Sequence, residues 1–152
     1  MIDTKAGPVE PDVHERMKQV FATVSQHMLN QARRAVMHGH SGALTCVYRL
    51  IDGRACAVGC LIRPEHYHAS LERQNTEAAE VCTALAASLG YPLVAIEVGL
   101  LRALQRVHDI ELAAWGDDSG IPAWAIIGPL NRVAVEFGLP LLPRAANTPA
   151  GV

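Results

Sequence analysis

The sequence predicts an α+β fold: a mostly helical single domain with one buried two-stranded antiparallel β-hairpin packed among four or five helices. Apolar residues recur at helical spacing in several separate segments. An Asp-Gly pair, Asp52-Gly53, separates two runs with the composition of β-strands, at 45–50 and 55–60. Half of the 152 residues are apolar, which suffices for one core but leaves little for a second.

The elements divide the chain into a flexible N-terminus at 1–9, a globular domain at 10–138 and a Pro-rich tail at 139–152. The first helix is predicted to begin at Pro11. Proline has no backbone N–H, and a residue in the first turn of a helix does not need one. Further helices are predicted at 76–89, 94–113 and 122–137, and the last of them is expected to break at Gly128-Pro129.

The predicted turn determines the register of the hairpin. A two-residue loop at Asp52-Gly53 places Arg49 opposite Cys56, and it directs Cys46 and Cys56 to opposite faces of the ribbon. Both faces carry apolar residues, so helices or loops are expected to cover the ribbon on two sides. The cysteines of this segment are therefore expected to be buried structural thiols.

Composition argues against several classes of protein. Thirteen basic and fifteen acidic residues give a net charge of −2, so nucleic acid is not an expected partner. The N-terminal residues lack the pattern of a secretory signal, and no apolar stretch reaches about 18 residues. We therefore expect a cytoplasmic protein without membrane association, whose four cysteines are free thiols.

A cysteine nucleophile needs a histidine base and an orienting group, and Cys56, His108 and Asp109 could supply these parts, with Gln105 as an alternative to Asp109. A reactive thiol usually lies beside a cation or a helix N-terminus. Cys56 is instead predicted in mid-strand between alanines, which favours a structural role.

Zinc is a second alternative, with Cys46, Cys56, Cys60 and His66 as the ligand set. All ligands must lie within about 2.3 Å of the ion. If Cys56 and Cys60 share a strand, however, their positions are about 13 Å apart along it. Buried thiols are the favoured interpretation here too, and no cofactor is expected.

Three polar residues are candidates for binding. Gln105 and His108 interrupt the apolar face of one predicted helix, where they could line a pocket or satisfy backbone groups; we favour the second role. Asp109 is expected to point about 100° away from His108. Arg49 could lower the pKa of the Cys56 thiol or pair with an acid such as Glu65.

A resemblance adds to this interpretation. The segment from Cys46 to Ile62 resembles a motif of an uncharacterised family of small bacteriophage and prophage proteins. The motif reads C-V-Y-R, then D-G, then C-A-V-G-C-L-I, and it is followed by Tyr67 and Glu72. Matches to the family's second half are Gln105, His108, Asp109 and Trp124. The resemblance covers roughly residues 15–138, and the chain departs from the family pattern at 128–129 and in its longer tail.

The resemblance implies a shared fold and a phage-related setting, and it assigns no catalytic residue. The leading hypothesis is therefore a non-catalytic phage or prophage accessory protein that binds an unidentified host or phage protein, with a homodimer through the long first helix as one arrangement. The alternatives are a hydrolase that uses Cys56 and His108 and a small zinc-binding protein.

Overall fold

A computed structural model describes residues 11–38, 44–115, 120–146 and 148–150. In this part of the chain, four α-helices accompany one two-stranded antiparallel sheet, so the predicted mostly helical α+β domain is confirmed. The bounds are α1 (Pro11–Gln31), β1 (Val36–His38), β2 (Leu44–Cys46), α2 (Ala79–Leu89), α3 (Ala95–Arg106) and α4 (Ala123–Phe137). The predicted flexible segment at 1–9 lies outside the described residues.

The core forms where α1, α3 and α4 pack against one another. As its spacing predicts, α1 buries one apolar face, consisting of Val13, Met17, Val20, Phe21, Val24 and Met28. An ion pair joins α1 to α3, because Arg16 donates to the buried carboxylate of Glu97 at 2.7 and 3.2 Å. In the described residues, every helix is too short or too polar to cross a membrane.

The sheet lies earlier in the chain than predicted. β1 pairs with β2 so that Val36 lies opposite Cys46 and Met37 opposite Thr45. In this sheet Val36 is buried whereas Met37 is 51% exposed. The segment predicted as the ribbon is largely buried, as expected, at Val47, Tyr48 and 55–58. The chain enters β1 after Ala32, which takes a left-handed conformation (φ 51°) just beyond the end of α1.

A chain reversal does occur at Asp52-Gly53, but its loop has three residues instead of two. Gly53 N–H donates to Leu50 O at 3.1 Å, Leu50 N–H donates to Arg54 O at 2.8 Å, and Gly53 has a positive φ of 97°. This is the geometry of a turn followed by a glycine bulge. The extra residue pairs Arg49 with Ala55, so the predicted pairing of Arg49 with Cys56 is wrong.

The predicted second strand also ends early. Gly59, Cys60 and Leu61 form a 3₁₀ turn, and Cys60 N–H donates to Cys56 O at 3.1 Å. The backbone of Gly59 lies against the Tyr48 carbonyl so closely that a side chain would not fit between them. This contact bends the chain away from the ribbon, so the region 55–60 does not continue as a strand.

The last helix runs without a break through Gly128-Pro129, so the predicted interruption is wrong. A proline usually clashes with the Cβ of the preceding residue in a helix, and Gly128 has none. The buried face of Ile126, Leu130, Val133 and Ala134 then holds α4 on the core. The first residues of the predicted tail are anchored as well, because Asn131 exchanges two hydrogen bonds with the Leu142 backbone at 2.8 and 3.2 Å.

Candidate functional site

Gln105 and His108, the binding candidates predicted on this helix, lie together with Asp109 where α3 ends and a π-helical turn begins. Val107–Glu111 form a π-helical turn, closed by Leu112 N–H donating to Val107 O at 3.0 Å. Such turns add a residue to the helix and often occur at functional sites. Here the turn brings His108 and Asp109 to the end of α1 and to β2, so that they meet residues about 70 positions earlier in the chain.

His108 is buried, and both of its ring nitrogens are occupied. Nε2 accepts a hydrogen bond from the Ala35 backbone N–H at 2.9 Å, and Nδ1 lies 2.7 Å from Asp109 Oδ1. Because an acceptor nitrogen must keep its lone pair, the ring carries its proton on Nδ1 and donates it to Asp109. The expected divergence of Asp109 from His108 is therefore wrong at the level of the side chains.

Gln105 completes the same network. Its Nε2 donates to Asp109 Oδ1 at 2.8 Å, and its Oε1 accepts from the Val58 backbone N–H at 3.0 Å. Both Gln105 and His108 thus accept hydrogen bonds from backbone N–H groups of other segments. Since an unpaired buried N–H is costly, this arrangement stabilises the turn after the Asp-Gly reversal and the start of β1.

Sequence reasoning missed Arg34, which binds the other side of the network. This buried guanidinium donates through Nε to His108 O at 3.0 Å, and through Nη2 to Asp109 O at 3.1 Å and to Cys46 Sγ at 3.0 Å. The pair Arg33-Arg34 looks like an ordinary charged helix end. Nothing in the local pattern shows that one of the two arginines turns inward.

The environment of Cys46 keeps its thiol protonated. Burial, followed by the charge of Asp109, raises the pKa of Cys46 to about 11, although the neighbouring Arg34 favours the thiolate. A thiol with this pKa ionises only well above neutral pH, so at pH 7 nearly all of it is the poorly nucleophilic SH form. Cys46 therefore lacks the main property of a cysteine nucleophile.

Cys56 is more deeply buried than Cys46. It is completely buried, its Sγ accepts from the Gly59 N–H at 3.2 Å, and burial raises its pKa far above the ordinary value. In the described part of the chain, no hydrogen bond joins Cys56 to His108, whose ring is held by Ala35 and Asp109. The structure does not assemble Cys56, His108 and Asp109 as a bonded catalytic set.

The four candidate zinc ligands are not brought together either. Cys60 donates its S–H to Ala57 O at 3.1 Å, and burial raises its pKa to about 12. His66 lies in a separate 3₁₀ turn beside α2. Within the described residues, only one group of three potential ligands has its atoms within 4.8 Å of one another, and it consists of Cys46, His108 and Asp109.

The chemistry of that group does not fit a metal. If Nδ1 of His108 bound an ion, the ring proton would have to move to Nε2, where it would point at the Ala35 N–H. The guanidinium of Arg34, 3.0 Å from the Cys46 sulphur, would also repel a cation. The cluster is thus suited to joining α1, β2 and α3, and poorly suited to holding zinc.

Beside this network, two adjoining cavities form an open cleft, which we call the β2 cleft. The larger cavity measures about 870 Å³ and is walled mainly by apolar side chains, among them Met37, Val47, Leu50 and Ile51. The smaller one measures about 510 Å³ and is lined mainly by polar and charged residues. The two cavities adjoin at four lining residues that they share: Cys46, Val47, Glu72 and Arg73.

The wall of the cleft is fixed by Glu72. Its Oε1 accepts from the Tyr48 N–H at 2.9 Å, and its Oε2 accepts from the Arg49 N–H at 3.3 Å and from the Tyr67 hydroxyl at 2.6 Å. The carboxylate thereby provides acceptors for two consecutive backbone N–H groups and for one hydroxyl. The sequence marked Glu72 only through the family resemblance, because these contacts span more than 20 residues.

Arg49 also lies in this wall, with partners other than those expected. Its guanidinium donates to the carbonyls of Gly59 and Ile62 and lies 5.4 Å from the Tyr67 ring centre. The expected partner Glu65 instead forms an ion pair with Arg63 at 3.0 Å. Arg49 thus holds the 3₁₀ turn against the ribbon and contributes positive charge to the larger cavity.

Comparisons with known proteins add no assignment to this geometry. The chain matches no protein-family model, no curated protein and no solved structure. The resemblance to phage and prophage proteins therefore stays a prediction from the motif.

Proposed function

We propose that this protein acts by binding another protein through the β2 cleft, and not by catalysis. The observation that carries the proposal is the preformed cleft with apolar side chains exposed at its edge. Ile51, at the tip of the reversal, is fully exposed, and Met37 is half exposed. Apolar residues grouped around a cavity of this size are typical of interaction sites.

The state of the polar groups supports the same proposal. The two cysteines and the histidine that could carry chemistry are engaged in hydrogen bonds that hold the fold, and the two thiols have raised pKa values. The cleft lies directly against this network, which shares Cys46, Gln105 and Asp109 with the smaller cavity. A rigid wall of this kind suits a binding surface, because little ordering is needed when a partner docks.

The partner we propose is a host or phage protein, with the phage setting resting on the motif alone. The net charge of −2 does not favour nucleic acid. A homodimer through α1 remains a prediction, and the side chains that this helix exposes are small or polar: Asp12, Glu15, Gln19, Ala22, Thr23, Gln26 and Asn30. The apolar rim of the cleft is the better candidate surface.

Affinity capture with cleft variants tests this function. The tagged full-length protein is incubated with bacterial lysates prepared with and without phage infection, as wild type, as Ile51→Asp and as Leu141→Asp. Leu141 is 60% exposed but lies outside the cleft, so it is the matched control. We expect a protein that wild type and Leu141→Asp retain equally and that Ile51→Asp retains about tenfold less, as for the loss of one apolar anchor.

Two results would contradict the proposal. The first is a partner retained equally by all three proteins, since this would place its contact surface elsewhere. The second is the absence of any specific partner in both lysates. Circular dichroism of each variant verifies that it is folded before capture.

A further inference from the structure

The smaller cavity of the β2 cleft is lined by three arginines and three acidic residues, so its formal charges are equal in number, but not every arginine is paired with an acid. Glu77 pairs with Arg102 at 2.8 Å. Asp109 is occupied by His108 and Gln105, and Glu72 by backbone donors and Tyr67. All three carboxylates thus have internal partners.

Arg73 and Arg106, the two remaining arginines of this cavity, have no such partner among the described residues. In the described part of the chain, neither Arg73 nor Arg106 has a side-chain hydrogen bond or an ion pair, and both are exposed while lining the same cavity. Arg73 also adopts a left-handed backbone conformation with φ 71°. A residue with a Cβ rarely takes this conformation without a structural or functional reason. Two guanidinium groups without a hydrogen-bond or ion-pair partner among the described residues therefore line the cleft beside its apolar half.

We propose that the β2 cleft binds an extended acidic segment of the partner protein. Carboxylates of that segment pair with Arg73 and Arg106, and a neighbouring aliphatic side chain enters the larger cavity against Val47 and Leu50. Guanidinium groups bind carboxylates through paired charged hydrogen bonds, which makes them selective for such ligands. The shared lining residues allow one continuous segment to reach both halves.

This inference rests on the proposed function and adds the chemistry of the ligand. A nucleic acid also carries anions, but the structure favours a peptide for two reasons. The larger cavity is mainly apolar, and the chain as a whole has a net charge of −2. A polyanion that tracks a backbone needs a longer basic surface than two arginines provide.

Selection from a random peptide library tests the inference. A displayed library of decapeptides is panned on the immobilised full-length protein, and the enriched peptides are synthesised and measured by fluorescence anisotropy. We expect enriched sequences with Asp or Glu within a few residues of Leu, Ile, Val or Met. The Kd should rise about tenfold in the double variant Arg73→Ala/Arg106→Ala and also increase with salt concentration.

The control variant removes two arginines outside the cleft, as Arg63→Ala/Arg144→Ala. It changes the net charge by the same amount and should leave the Kd within about twofold of wild type. Enrichment of peptides without acidic residues, failure to enrich any sequence, or equal loss of binding in both double variants would overturn the inference. So would tighter binding of an oligo-dT strand than of any selected peptide, if that binding depended on Arg73 and Arg106.

The two proposals fail in different ways. If lysate capture yields a partner that depends on Ile51 while the selected peptides carry no acidic residue, the cleft binds proteins but not by the charge pairing proposed here. If capture yields no partner and the library yields no peptide, the proposed function itself is contradicted.

Discussion

Replacing Gly59 with alanine is expected to destabilise the protein by about 3 kcal/mol or more, and at the upper end to prevent folding. A Cβ on this residue would lie 1.9 Å from the Tyr48 carbonyl oxygen and 2.7 Å from its carbonyl carbon. Both are backbone atoms, and Tyr48 is fixed by its N–H bond to Glu72 and its hydroxyl bond to Gln74 O. These two contacts oppose a shift of the Tyr48 backbone away from an added Cβ. Urea unfolding followed by circular dichroism measures the change.

A second glycine provides the matched control. At Gly99, in the interior of α3, an added Cβ would meet only the Phe137 ring at an ordinary 3.8 Å. Gly99→Ala should leave the protein as stable as wild type, or more stable by about 0.5 to 1 kcal/mol, because alanine favours the helix. If Gly59→Ala unfolds at the same urea concentration as Gly99→Ala, the packing of the 3₁₀ turn on Tyr48 is not as described.

The second large effect is expected for His108→Ala, with a loss of about 3 to 5 kcal/mol in the free energy of unfolding. The substitution removes the acceptor of the Ala35 N–H, leaves Asp109 without one of its donors, and opens a cavity at a residue that is 2% exposed. The unpaired N–H and the cavity each contribute to this loss. Urea unfolding of purified protein again gives the value.

His68→Ala is the corresponding control, because His68 is exposed and precedes a 3₁₀ turn. We expect its stability to stay within about 0.5 kcal/mol of wild type. A near-neutral effect of His108→Ala would contradict the structural role of the imidazole. It would instead be consistent with a functional group held in place by its surroundings and free to react.

The sequence predicted those parts of the fold that depend on local pattern. The apolar face of α1 is buried as its spacing indicates, and Gly53 takes the positive φ expected of the Asp-Gly reversal. The register of that reversal could not be predicted, since it depends on where Gly59 packs against Tyr48 after the chain has folded. The sequence predicts a break at Gly128-Pro129 because proline usually interrupts a helix, whereas Gly128, which has no Cβ, allows α4 to continue through Pro129.

In the candidate site, too, local pattern predicted some residues, whereas others depend on the tertiary fold. Gln105 and His108 stood out as polar residues on an apolar helix face, and both are indeed buried or partly buried in a shared network. Their partners, the N–H groups of Ala35 and Val58, come from segments that only the tertiary fold brings near. The inward turn of Arg34 has no local signal either. That Arg73 and Arg106 line one cavity without partners among the described residues also depends on the tertiary fold.

In this structure, the cluster of Cys46, His108 and Asp109 holds the fold together beside the β2 cleft. The protonation of the His108 ring tests this claim directly. Two-bond ¹⁵N–¹H correlation spectra of the labelled protein at pH 7.5, recorded with and without one equivalent of zinc, should show a protonated Nδ1 and an unprotonated Nε2 in both samples. A proton on Nε2, or a zinc-dependent change at Nδ1, would contradict it.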